Sequence, residues 1–153
     1  MTSTAADRVE VRRRLAAVPE RLSDAARSAA GRAVPDGEWG PPEVIRHLIA
    51  VEGEVWHTRL RQLEAADKPT WPWVEPAPWA GDPRATLDDL LGVFAKRRAE
   101  TVAVLDGLDE AGWARTGLHA TWGELDVVNL MTRAVDHDDE HVAGLAAPTD
   151  RTA

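Results

Sequence analysis

Near the start of the chain, apolar residues recur at alternating intervals of four and three: Val11, Leu15, Val18, Leu22, Ala25 and Ala29. That spacing lines one face of a helix and predicts a long helix from about Thr4 to Ala30, with Gly31 as its stop. The arginines Arg8, Arg12, Arg13, Arg14 and Arg21, mixed with acids, read as its solvated face. Pro19 falls inside the stripe and predicts a kink or a break, because proline lacks an amide hydrogen and its ring crowds the preceding turn.

A second helix is predicted from Gly40-Pro41-Pro42, where proline suits the first turn, to about Ala66. At 100° per residue its apolar arc is Val44, Ile45, Leu48, Val51, Val55, Trp56 and Leu63, with His47 on the flank and Glu52 inside the arc. A third helix, capped by Thr86 and ending near Asp106-Gly107, is expected to bury Leu87, Leu90, Leu91, Phe94, Thr101, Val102, Leu105 and Leu108, and Arg98 interrupts that face. An acid and a base that interrupt two apolar faces either pair with each other in the core or reach the surface separately. The fourth helix is predicted to open at Thr121-Trp122-Gly123-Glu124, read as a capping box, with Val127, Leu130, Met131, Ala134, His137, His141 and Leu145 on one stripe.

Between the second and third helices, Pro69 to Trp79 holds three tryptophans and four prolines with no helical or strand period. It predicts a stiff crossover that is either a wall over a ligand pocket, with Trp73 facing the ligand, or a strap packed along the bundle. Leu108 to Gly123 is a second irregular connection, and no segment reads as a strand. The pattern therefore predicts an all-α four-helix bundle as a single domain over residues 1–147, with a disordered tail at 148–153.

Composition narrows the function mainly by exclusion. With 26 acidic and 18 basic residues the net charge is −8, and no basic tract is long enough to follow a phosphate backbone, which argues against nucleic acid or an anionic membrane as partner. No apolar run approaches the roughly 20 residues of a membrane span, and the N-terminus does not read as a signal peptide, so a cytoplasmic protein is expected. The chain has no cysteine, which excludes a thiolate ligand or a protein thiol nucleophile. Any thiol chemistry needs a thiol from outside.

The chemistry gathers at His137-Asp138-Asp139-Glu140-His141. On a helix the two imidazoles stand one turn apart on one face, where both reach a single ion. They are either metal ligands or imidazoles hydrogen-bonded within the core. His47 is the candidate third ligand, and three neutral imidazoles around a divalent ion leave further positions open to water or substrate. One of the acids beside the pair, with Asp138 foremost, is a candidate to hold a histidine ring through its second nitrogen. Glu43 and Glu54, four before and seven after His47, are weaker candidates for the same task. His57 and His119 read as structural or surface residues.

The pieces Trp39, Glu43 to Glu52, Phe94 to Arg98, Leu108 to His119, and His137-Asp138 with His141 resemble the DinB-like (YfiT-like) superfamily of metal-dependent enzymes. Within it they are similar to the branch of mycothiol-dependent maleylpyruvate isomerases and bacillithiol transferases. The resemblance implies a four-helix bundle with a long crossover, a homodimer, and a zinc or nickel ion on His47, His137 and His141. It also implies a mycothiol-type low-molecular-weight thiol as co-substrate, delivered as a thiolate to a small-molecule electrophile. A hydrolase that activates water at the same open position, and a non-catalytic ligand-binding or stress-response bundle, are the competing expectations.

Overall fold

The computed structural model describes residues 2–147, so the tail at 148–153 lies outside the described residues. Helix α1 (Ala5–Ala29) starts at a capping box in which Thr4 accepts the Asp7 amide and Asp7 accepts the Thr4 amide. It buries the stripe Val11, Leu15, Val18 and Leu22. Pro19 does not break it. The carbonyl that Pro19 leaves without its helical partner, that of Leu15, accepts a hydrogen bond from Arg98 Nη1 at 3.0 Å. The orphan acceptor is satisfied from another helix, so the rod runs through.

Helix α2 (Pro41–Val51), a π segment (Glu52–His57) and α3 (Thr58–Ala65) follow one another with right-handed helical backbone at both junctions. The single helix read from the sequence thus carries a wider turn at its centre. Arg97 Nη1 reaches into that turn to the Ile49 carbonyl at 2.6 Å, and Gly53 leaves room for it: a Cβ there would stand 2.6 Å from the same nitrogen. Helix α4 (Leu87–Asp106) opens with a second capping box, Thr86 with Asp89. A short helix α5 (Glu110–Ala114) leads to the last long helix, α6 (Val127–Ala146). Helix α1 packs on α6 and α4, and α2 packs on α4 and α6. The bundle core is filled by Leu15, Leu22, Ile45, Leu48, Phe94, Leu105, Leu130 and Met131, each at most 1% exposed.

Two expectations are corrected in the connections. A three-stranded sheet is present: β1 (Thr70–Trp71) runs parallel to β2 (Thr116–His119), which pairs antiparallel with β3 (Gly123–Asp126). Consequently Thr121 to Glu124 is not a helix cap. Gly123, at φ +75°, closes a three-residue hairpin connection in the left-handed conformation that glycine permits. The cap is instead Asp126, whose carboxylate accepts the Asn129 amide at 2.9 Å. The sheet is fastened by Trp71, 3% exposed, which donates its indole hydrogen to Gln62 at 2.8 Å. A Cβ at Gly117 would stand 2.3 Å from the Trp71 ring, so only glycine fits beneath it.

The crossover is both wall and strap. Arg46 ties it to α2 by donating to the carbonyls of Trp79, Gly81 and Asp82. Its earlier part, Trp73 to Pro76, faces a cavity.

Candidate metal centre

His47 on α2 and the pair His137 and His141 on α6 come together where the two helices pack. One ligand nitrogen from each lies within 4.8 Å of the others, and all three rings are half-buried. The Nε2 atoms of His47 and His137 are 3.3 Å apart. Two nitrogens each about 2.0–2.1 Å from one zinc ion at a tetrahedral angle stand about 3.4 Å apart, so this pair already has ligand spacing and His141 needs only a small approach. Burial pushes the pKa of His137 down to about 4, with His141 and His47 adding to it, and burial lowers His47 and His141 as well. Neutral imidazoles at neutral pH are the form that binds a divalent ion. The donor set therefore fits such an ion.

The centre opens on a cavity of about 430 Å³. Indoles form much of its wall: Trp39, whose ring centroid is 5.1 Å from that of His47, with Trp56, Trp73 and Trp122. Glu75, Asp136 and Glu140 contribute acids, and Arg59, Arg133 and His119 also line it.

Immediately behind the triad lies a closed ionic cluster. Arg98, 1% exposed, gives Nε and Nη2 to the two oxygens of Glu52 at 2.9 and 2.7 Å, and Nη2 also to Asp138 at 2.6 Å. Thr101 donates to Glu52 at 2.5 Å and receives His57 Nε2 at 2.7 Å. Burial opposes ionisation of Glu52, yet Arg98 and Thr101 outweigh it and hold that carboxyl below its usual range. Burial pushes Asp138 up to about 7 against the pull of Arg98, with Glu52 adding to the rise.

The other sequence candidates fall in different places. Asp138 does not hold a histidine ring; it turns to Arg98, because it points into the core between α4 and α6. Asp136 pairs with Arg14, and Asp139 with Arg14 and Arg21, so among the described residues none of these acids hydrogen-bonds a histidine. Glu43 is solvent-exposed on the first turn of α2 and lies outside the cavity wall, as does Glu54; both belong to the outer face of their helix. Trp73 is on the wall, 65% exposed. His119, expected in a loop, is buried on β2 and stacked on Trp122 at 4.1 Å. Arg59 and Trp56 complete the missed wall. Position 59 falls within the same apolar arc that exposed Glu52 as anomalous, and this was the available signal.

A family model for the DinB superfamily matches residues 6–144. This chain belongs to the DinB superfamily. No curated protein matches it by sequence. Among solved structures it is similar to YfiT from Bacillus subtilis, described as a probable metal-dependent hydrolase with an unusual four-helix bundle topology. The two share 19% identity with a TM-score of 0.73, over 94% of this chain and 86% of YfiT. The likeness establishes for this DinB-superfamily member a shared fold. No helix among the described residues is long and apolar enough to cross a membrane.

Proposed function

We propose that this chain is a divalent-metal-dependent enzyme acting on a small molecule, with zinc or nickel on His47, His137 and His141 and a mycothiol-type thiol as the nucleophile's source. The carrying observation is the convergence of three neutral nitrogen donors on the wall of an open cavity, in a chain with no cysteine of its own. A divalent ion so held lowers the pKa of a thiol or water at an open position and supplies a nucleophile near neutral pH. The protein's residues do the rest. The indoles of Trp39, Trp56, Trp73 and Trp122 hold an apolar electrophile and keep bulk water from it, and the Arg98 cluster fixes α6 against the π segment behind the triad.

Hydrolysis is the second reading, favoured by Glu75. That carboxylate lines the cavity and acts electrostatically on His47, so it is placed to take a proton from attacking water. The description of YfiT as a probable metal-dependent hydrolase accords with this second reading, and with the first only as far as the metal. A homodimer is part of the proposal, and light scattering at twice the 16.7 kDa chain mass tests it.

Zinc- or nickel-loaded protein incubated with an activated ester or an aryl chloride, with and without a small thiol, separates the two. A thioether or thioester formed only with thiol supports the first reading, and hydrolysed product without thiol supports the second. Neither product from metal-loaded protein removes both, leaving a metal-holding binding bundle.

A further inference from the structure

Two hydrogen-bond donors on the cavity wall, and a guanidinium beside them, lack an acceptor or an anion among the described residues. Arg59 is 5% exposed and sits over the rings of Trp56 and Trp71, at 5.5 and 5.6 Å. Its Nη2 donates to the Pro72 carbonyl at 3.1 Å, but among the described residues no carboxylate pairs with it. The contrast with Arg98, also buried but held by two carboxylates, is direct. A guanidinium taken out of water without an anion is costly.

His119 and Trp56 add neutral donors beside it. The Nδ1 of His119 accepts the amide hydrogens of Thr121 and Trp122 at 3.0 and 3.3 Å, so its ring proton resides on Nε2. That nitrogen is buried without an acceptor, in a residue 2% exposed. Trp56 Nε1 is in the same condition, in a residue 4% exposed. An unpaired buried donor is costly, so two on one wall beside an uncompensated cation mark a missing acceptor.

Charge is also sorted along this wall. Glu75 and Glu140 act on His47 and His141, and Asp136 is paired with Arg14, whereas Arg59 and Arg133 act on His119.

We infer that Arg59, with the Nε1–H of Trp56 and the Nε2–H of His119, forms a subsite for the carboxylate of an otherwise apolar ligand. The inference deepens the enzymatic reading, since it names the class of molecule that enters the cavity: a small organic acid whose apolar body lies among the indoles.

The test is indole N–H NMR on the full chain titrated with phenylacetate, benzoate and the neutral isostere phenylacetamide, both metal-loaded and after chelation. The Trp56 resonance is assigned by its loss in Trp56→Phe. The carboxylates are expected to shift that resonance with or without metal, and to bind about tenfold or more tighter than the amide. Arg59→Met is expected to abolish the preference and Arg59→Lys to keep part of it, with spectral dispersion reporting that both variants fold. Equal binding of acid and amide, no shift by either acid at millimolar concentration, or a preference that survives Arg59→Met overturns the subsite. Acid binding seen only with metal places the carboxylate on the ion and overturns the subsite while leaving the metal centre intact. Acid binding to a chain that takes up no zinc or nickel on reconstitution keeps the subsite and removes the metal reading.

Discussion

Two polar clusters meet at adjacent residues of α6, and they differ in how completely the chain satisfies them. Asp138 belongs to the buried cluster with Arg98 and Glu52, where every charge has an opposite within 2.9 Å and no buried nitrogen or oxygen lacks a partner. His137, its neighbour, faces the other way into a half-open triad, and its buried Nδ1 is unpaired. Packing alone would penalise the second arrangement. The comparison teaches that the closed Arg98 network serves the scaffold, while the incomplete triad faces a cavity and suits a ligand supplied from outside.

The largest effect is expected on the closed side. Arg98→Met leaves Glu52 facing Asp138 without a cation and is expected to cost about 3–5 kcal/mol in urea unfolding, enough to threaten folding of an ordinary domain. Thr101→Val removes one hydrogen bond to a charged carboxylate and is expected to cost about 1.5–3 kcal/mol. If Arg98→Met proves as stable as wild type, the network is not what ties α4 to α6, and if Thr101→Val does, the hydroxyl is not what ties α4 to the π segment. Pro19→Ala sharpens the same point from the opposite direction. Proline in a helix interior costs about 3 kcal/mol, yet here the Leu15 carbonyl already holds Arg98, so the gain on replacement is expected to stay under about 1 kcal/mol. A gain near the full penalty would show that the Arg98 contact does not compensate.

On the open side the effect is a pH dependence. A divalent ion binds the neutral imidazole and competes with protons. Because burial holds the folded-state pKa values of the triad below the ordinary 6.5, these groups are mostly neutral above that pH and metal affinity should change little there. As pH falls below 6.5, affinity is expected to drop, with His137 the last to protonate, near 4. Isothermal titration with zinc from about pH 8 to 5 checks the sign, and an affinity still climbing between pH 7 and 8 would mean imidazoles that titrate normally.

Much of this was legible in the sequence, for identifiable reasons. The 3.6-residue period marked the long helices, and the spacing of His137 and His141 put two rings on one face. Glu52 and Arg98 announced themselves as charges within apolar arcs. Pro19 misled because its local rule is sound and its remedy comes from Arg98, 79 positions away along the chain. The sheet was missed because each strand is only two to four residues long and pairs across the chain, leaving no run in which alternation is visible. The π segment was hidden too: it depends on Arg97 reaching the Ile49 carbonyl past Gly53, a tertiary contact. His119 and Arg59 shared the difficulty, since their neighbours come from other elements.

The most direct test of the central claim is the metal content of tag-free protein by elemental mass spectrometry, wild type beside His47→Ala and His141→Ala, with thermal unfolding of each metal-free protein. Close to one divalent ion per wild-type chain is expected, lost in both variants, with little change in metal-free stability because the triad contributes no closed network. Wild-type protein that takes up no ion after reconstitution with zinc or nickel, or variants that keep theirs, would contradict that claim.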